Sequence, residues 1–349
     1  MPRLSPLAWS LAFGFILCCA TSTFAAPDNP SKFAITNPAD ADDDFAFQGE
    51  YLGTLRLPHG QLERTGLQVV AQGDGKLIAT QMRGGLPGSG WNERELLELE
   101  GRREGNRAIL SAGQYQITLH ADNAAVVNSE GISLGSLSKV ERRSATEGLP
   151  PGPLATVLFD GGTPGNLKNA KMNEEGYLMV GPTTAEPVED FRMHMEFRLP
   201  YMPYARSQAR ANSGVYIQRR YEVQILDSFG LRPQFNDGAS MYRTQPPNVN
   251  MGFPPLRWQT YDIYFTAARF DDQGNRIAQA RITVLHNGIK VHDNFALPNK
   301  TGAGKPEGAE PLPTLFQDHG NPVVFRNIWI EPLGARYAAT PAPASCIAF

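Results

Sequence analysis

The chain has 349 residues, with 32 basic and 35 acidic side chains and a net charge of −3 at neutral pH. That balance argues against a nucleic-acid-binding protein, because such proteins concentrate Lys and Arg on one face. The 34 glycines and 28 prolines indicate frequent turns and favour β structure over helix bundles.

Residues 1–25 have the pattern of a cleavable export signal. Arg3 provides a basic start, residues 7–20 are mostly apolar, and Thr23-Phe24-Ala25 places small residues at positions −3 and −1 of a cleavage site. The sequence therefore predicts an exported protein, periplasmic or secreted, whose mature chain begins at Ala26 or within a few residues of it.

The cysteines bear on the same prediction. A lipoprotein anchor at Cys18 or Cys19 is the alternative to simple cleavage, although Ile16-Leu17 lacks the small residue expected just before a lipidated cysteine. Cleavage would leave only Cys346, so no intrachain disulfide is expected. Downstream of the signal, no stretch is long and apolar enough to predict a transmembrane segment.

Residues 26–147 are predicted to form a β-rich N-terminal domain, for which the sequence indicates no role. It opens with a polar, acidic lead-in over 26–44, and short apolar runs follow, separated by Gly, Asn and Asp. Residues 92–103 fit either a short helix or a strand. The Gly- and Pro-rich stretch 148–153 then predicts a domain boundary.

Residues 154–335 are predicted to form a second domain, followed by a flexible tail over 336–349. Apolar and polar residues alternate along 191–199 and 260–266, which is typical of strands with one buried face. Asn287-Gly288 is the dipeptide favoured in a two-residue hairpin turn of type I′. Many alternating strands without helices between them predict an all-β fold built around an antiparallel sandwich.

The stretch around Glu222 is the strongest functional candidate. Tyr221, Val223 and Ile225 alternate with Glu222 and Gln224, so the carboxylate and the amide share the face away from the core. Such a pair can hold a polyhydroxylated ligand and move a proton. The alternative is an ordinary strand whose polar face lies in water.

Common catalytic and metal-binding signatures are absent from the sequence. There is no H-E-x-x-H, phosphate-binding loop or G-x-S-x-G motif, and residues 302–305 are interpreted as a linker loop. His286 and His292 flank the hairpin turn, where a surface role is expected. A polar loop over 317–321 precedes an apolar strand, and this placement makes His319 a second functional candidate.

Several segments together resemble the 3-keto-disaccharide hydrolase domain family, and the resemblance covers residues 154–333. These segments are residues 157–161, 200–206, 212–216, 220–230, 254–262, 283–288 and 317–329. The resemblance implies a concanavalin-like jelly-roll sandwich with a sugar-binding concave face, and action on sugars oxidised to a ketone at carbon 3. The chain departs from the family pattern at 236–242 and 313–316, which puts the substrate preference in doubt more than the reaction type.

A ketone at carbon 3 makes a simple mechanism available. It acidifies the proton on carbon 2, so one base can start elimination of the aglycone from carbon 1, and water adds afterwards. An ordinary glycosidase instead needs two carboxylates that flank the bond. In Glu222-x-Gln224-x-x-Asp227 the middle position is an amide, and alternation places Asp227 on the opposite face from Glu222 unless a bulge intervenes.

The sequence thus predicts an exported carbohydrate-active enzyme that cleaves 3-keto-glycosides, with an oligosaccharide or glycoside as its partner. Glu222 and His319 are the predicted catalytic residues, and the predicted substrate-binding residues are Gln218, Gln224, Asp227 and Arg326. A divalent metal would stabilise the enolate, and the spacing reveals no ligand set for one. A non-catalytic carbohydrate-binding protein and a conventional endo-glycanase are the alternatives.

Overall fold

A computed structural model of the chain describes residues 29–57, 59–113 and 115–334, and nearly all regular structure in these ranges is β. The predicted export signal and tail lie outside them. The helices in the described part are short 3₁₀ turns, at Pro30–Lys32, Pro38–Asp40, Asp43–Ala46 and Ser207–Ala209, and none of these could cross a membrane. The predicted all-β fold class is confirmed.

The first eight strands close into an antiparallel barrel. They are β1 (Gly49–Arg56), β2 (Leu62–Ala71), β3 (Lys76–Arg83), β4 (Leu96–Glu104), β5 (Arg107–Ala112), β6 (Tyr115–Leu119), β7 (Asn123–Asn128) and β8 (Ser133–Val140). Each strand pairs with the next, and β8 returns to β1 with Glu50 opposite Val140. Closure leaves no exposed edge strand. The ambiguous stretch 92–103 is largely the strand β4.

The remaining strands build a two-sheet sandwich and a small separate hairpin. They are β9 (Thr156–Phe159), β10 (Leu167–Lys168), β11 (Leu178–Met179), β12 (Thr183–Thr184), β13 (Phe191–Arg198), β14 (Ser213–Ile217), β15 (Tyr221–Ile225), β16 (Trp258–Thr266), β17 (Arg269–Phe270), β18 (Arg276–Ala278), β19 (Arg281–His286), β20 (Ile289–Ala296), β21 (Leu315–Phe316) and β22 (Val324–Pro332). The smaller sheet has the order β10-β12-β21-β14-β15. The larger sheet has the order β11-β22-β13-β16-β19-β20, with β9 on β22.

The alternation in the sequence matches the packing of the sandwich. From the larger sheet, Met193 and Phe197 enter the core, where they meet Val223 and Ile225 from the smaller sheet. The β19–β20 hairpin turns at Asn287-Gly288 with φ values of 51° and 81°, as a type I′ turn requires.

Arg142 links the barrel to the sandwich. The Arg142 guanidinium, at the end of β8, donates to both Glu50 oxygens at 2.5 and 2.7 Å and to the Pro87 carbonyl at 2.6 Å. It also lies over the Phe253 ring of the sandwich, 5.3 Å from the centroid.

The Gly- and Pro-rich stretch that separates the two units is itself bound to the sandwich. The Gly148 amide donates to Glu196 at 2.6 Å, and the Leu149 carbonyl accepts from the Trp329 indole at 3.1 Å. Ser144, just before it, hydrogen-bonds Thr260 at 2.6 Å. The stretch is therefore attached to the larger sheet and is not a free linker.

Arg142→Met should destabilise the fold by about 3–5 kcal/mol, because it leaves Glu50 buried without its counter-ion. Arg83→Met is the matched control: its ion pairs with Glu63 and Glu95 are half exposed, so its loss of stability should be much smaller. Urea unfolding of both variants measures the difference. Equal losses would mean that the Glu50–Arg142 pair does not stabilise the fold.

Candidate functional site

Glu222 lies on β15, on the face of the smaller sheet that points away from the sandwich core. It is not in water: only 2% of the residue is exposed. Both edges of the strand are paired, with β14 along one edge and residues 239–242 along the other. Across the second edge, the Ala239 amide donates to the Gln224 carbonyl at 2.8 Å and the Tyr242 amide to the Glu222 carbonyl at 3.2 Å.

A loop over residues 301–304 covers Glu222. Thr301 Oγ1 accepts from the Glu222 amide at 2.5 Å, and the Thr301 amide donates to the Arg220 carbonyl at 2.9 Å. Gly302 sits over the carboxylate with φ +45°, and a Cβ there would lie 3.0 Å from Glu222 Oε2 and 2.8 Å from the Tyr242 ring. Glycine is thus required both by the left-handed backbone and by the close approach of the loop.

The Glu222 carboxylate has no cationic partner among the described residues. Burial raises its pKa to about 7, and the nearby hydroxyl of Tyr216, its cross-strand neighbour, lowers it in part. Oε2 has no hydrogen-bond partner of normal geometry within the described part of the chain. A carboxyl group in this state can accept or donate a proton near neutral pH.

Two amides flank the other carboxylate oxygen. With its amide oriented to satisfy its neighbours, Gln224 donates to the Ser213 carbonyl at 2.7 Å and to Glu222 Oε1 at 3.2 Å. A Cβ at Gly214 would lie 2.5 Å from Glu222 Oε1 and 3.2 Å from Gln317 Oε1, so these side chains converge over that glycine. Gln317 Oε1 is buried and has no partner in the described part of the chain.

His319 is exposed in the loop that follows β21. The loop is attached to the site, since the Gln317 amide donates to the Gly214 carbonyl at 2.8 Å. The imidazole itself makes no hydrogen bond or ion pair with any described residue. Its assignment as acid–base partner of Glu222 stays a prediction.

Asp227 and Gln218 have structural partners instead of facing the site. Asp227 is buried and accepts from the Arg210 guanidinium at 2.7 Å. Gln218 lies in the turn between β14 and β15, where its amide donates to the Val188 carbonyl at 3.2 Å and accepts from Arg220 at 3.1 Å. Asp227 thus lies off the Glu222 face and Gln218 is directed toward residues 188–189, and the assignment of both as substrate-binding residues stays a prediction.

Arg326, the remaining predicted substrate-binding residue, also has partners within the protein. It lies on β22 of the larger sheet, where it donates to Glu196 at 2.6 Å and to Glu147 at 2.8 Å, and its guanidinium stacks over Trp258, 4.0 Å from the ring centroid. The two sheets pack core to core, so Arg326 belongs to a polar network on the far side of the sandwich from Glu222.

Within the described residues, no three or more His, Cys, Asp or Glu side chains are grouped to hold a metal ion. The candidate site therefore consists of Glu222 and the groups around it, which are Tyr216, Gln224, Tyr242, Gln317 and the loop 301–304.

Comparison with protein families gives a match over residues 155–331 to the 3-keto-alpha-glucoside-1,2-lyase-like domain, which covers the whole sandwich. The chain belongs to this family. The predicted resemblance is thereby confirmed, and family membership supports a carbohydrate-active function. No curated protein is significantly similar to the chain.

Among solved structures, the chain is similar to proposed glycosyl hydrolases from Parabacteroides distasonis ATCC 8503. One shares 30% sequence identity, with 52% of this chain and 84% of the other covered and a TM-score of 0.48. A second shares 18% identity, with coverage of 52% and 94% and a TM-score of 0.38.

One departure from the family pattern falls inside the site. Residues 236–242 depart from that pattern, and the structure pairs their second half with β15, with Met241 opposite Val223. Tyr242 consequently lies beside Gly302 at the carboxylate. In this 3-keto-alpha-glucoside-1,2-lyase-like domain, the altered segment is therefore in contact with the residues around Glu222.

The pKa of Glu222 predicts a pH-dependent stability. The folded protein binds a proton that the unfolded chain releases between pH 4.5 and about 7, so the free energy of unfolding should fall as the pH rises through that window. In Glu222→Gln the side chain does not titrate, so its free energy of unfolding should not fall in this window. By pH 8 the variant should be more stable than the wild type by roughly 1–3 kcal/mol.

Urea unfolding at pH 5 and pH 8 measures the effect, and Glu100→Gln on the exposed face of β4 is the control, for which no such difference is expected. A constant gap between Glu222→Gln and the wild type at both pH values would contradict a raised pKa.

Proposed function

We propose that the protein cleaves the glycosidic bond of 3-keto-glycosides, with Glu222 as the base that removes the proton from carbon 2. The family match to a 3-keto-alpha-glucoside-1,2-lyase-like domain supports the substrate class. The observation that carries the assignment of the base is the buried Glu222 carboxylate, whose pKa is about 7 and whose Oε2 has no partner among the described residues. Export to the periplasm or outside the cell is part of the proposal and rests on residues 1–25.

The reaction balances with one base. Glu222 takes the carbon-2 proton, and the electrons of that C–H bond form an enolate with the ketone at carbon 3. The enolate then expels the aglycone oxygen from carbon 1, which leaves a carbon 1–carbon 2 double bond. The departing oxygen takes up a proton, and water adds later, with its hydroxyl on carbon 1 and its proton on carbon 2.

The neighbours of Glu222 suit this chemistry. A general base works best with a pKa near the working pH, and burial sets that value here. The amide of Gln224 donates to one carboxylate oxygen. The other oxygen, Oε2, is the proposed proton acceptor, and a substrate reaches it only when the loop 301–304 that covers it moves aside. Gln317 and Tyr216 provide polar groups for sugar hydroxyls, and His319, in the loop that begins at Gln317, is the proposed acid for the aglycone oxygen.

A single pair of substrates tests the reaction class. The purified protein is incubated with a 3-keto-disaccharide and with the parent disaccharide. We expect cleavage of the keto form alone, because only its carbon-2 proton is acidified. Cleavage of the parent would indicate a conventional glycanase, and binding of either sugar without turnover would indicate a carbohydrate-binding protein; both results contradict the proposal.

Glu222→Gln should keep the fold and lower the rate on the keto substrate by roughly 100-fold or more, whereas Glu100→Gln should keep the wild-type rate. In the wild type, kcat/KM should rise with pH through about 7 as Glu222 loses its proton, and the variant should lack this rise. Product formed in D2O should carry deuterium at carbon 2. Near-normal turnover by Glu222→Gln would remove Glu222 from the mechanism.

A further inference from the structure

A second cavity lies between the barrel and the sandwich, in a part of the structure that does not include Glu222. Its volume is about 360 Å³, within the range of small-molecule sites, roughly 300–1,000 Å³. The barrel contributes the start of β1, the end of β8 and the turn before β1, and the sandwich contributes residues 254–257. Phe45, Pro254 and Leu256 supply apolar wall.

The charged side chains that line the cavity leave one positive charge. Arg142 is paired with Glu50, and Arg257 is paired with Glu141 at the rim. Lys139 forms no ion pair with a carboxylate of the described residues. Its ammonium donates to the Ala46 carbonyl at 2.7 Å and lies 5.7 Å from the centroid of the Tyr51 ring. An ammonium has three protons to donate, so Lys139 retains donor capacity toward the cavity.

Gln48 supplies a second free donor. The residue is only 4% exposed, and its Oε1 accepts from the Ala71 amide at 2.9 Å. Its Nε2 is buried and has no partner among the described residues, and the residue lies in the wall of the cavity. A buried donor without an acceptor is costly, and an acceptor atom in the cavity would remove that cost.

We propose that this cavity is a second ligand site, which binds a small organic carboxylate. Lys139 Nζ donates to the carboxylate, Gln48 Nε2 donates after its side chain turns toward the cavity, and the apolar wall covers the body of the ligand. The free groups are donors, and the carboxylates of Glu50 and Glu141 are already paired with arginines. A single uncompensated positive charge matches a monoanion.

Lys139 also provides a signature of binding. Burial lowers its pKa to about 8, with the nearby Glu141 opposing that effect and Arg257 adding to it. A bound carboxylate stabilises the ammonium, so binding at pH 8 should be accompanied by proton uptake. Calorimetry in Tris and in Hepes, whose ionisation enthalpies differ, measures that uptake.

The test is isothermal titration of the full-length protein with D-glucuronate, and with D-glucose as the neutral control of the same size. At pH 7 we expect saturable binding of glucuronate, at least roughly tenfold tighter than that of glucose. Equal binding of the two sugars would overturn the proposal, as would the absence of saturable binding by both glucuronate and the smaller probe acetate.

Variants locate the binding. Lys139→Met should weaken glucuronate binding by roughly tenfold or more and abolish proton uptake. Gln48→Glu should also weaken it, because it keeps the acceptor for Ala71 and replaces the free donor by an acceptor. Lys76→Met, an exposed lysine of the same barrel, and Glu222→Gln should bind as the wild type does. Wild-type binding by Lys139→Met and Gln48→Glu would overturn the assignment to this cavity.

Discussion

The candidate site depends on one constraint: the Glu222 carboxylate is buried away from water with no cation beside it. Transfer of a charge from water is unfavourable unless the charge is paired or neutralised, and Glu222 responds by a raised pKa. The structure enforces this burial through backbone that approaches closely on two sides, at Gly214 and Gly302. A side chain at either glycine would occupy the space that the carboxylate needs.

Several other buried carboxylates in the described part of the chain are paired with a cation, whereas Asp237, whose pKa burial also raises, to about 6, accepts from the Gln234 amide at 3.0 Å. Glu50 is paired with Arg142, Asp227 with Arg210, and Glu196 with Arg326. The first pair lies within the barrel unit and the other two within the sandwich, and in each the arginine compensates the carboxylate charge. The raised pKa of Glu222 supports a functional role, because strongly perturbed pKa values cluster at functional sites.

Local patterns in the sequence predicted the features that depend on local geometry. The alternation of apolar and polar residues predicted strands of the sandwich and the face on which Glu222 lies, and Asn287-Gly288 predicted a hairpin turn. Partners distant in sequence were missed: Thr301 meets the Glu222 amide across 79 residues, and residues 302–305 read as a linker. Tyr216 could have been predicted as a site residue, because the short connection between β14 and β15 sets it opposite Glu222. The strand pattern around Arg326 also does not say to which of the two sheets it belongs.

The most direct test of this account is the pKa of the Glu222 carboxyl group in the folded protein. It can be read from a ¹³C NMR titration of protein labelled at the glutamate side-chain carboxyl, with the Glu222 signal identified by its loss in Glu222→Gln. The account predicts a midpoint of about 7. A midpoint at the ordinary glutamate value of about 4.3 would mean that the carboxylate is solvated, and would contradict its role as a base poised near neutral pH.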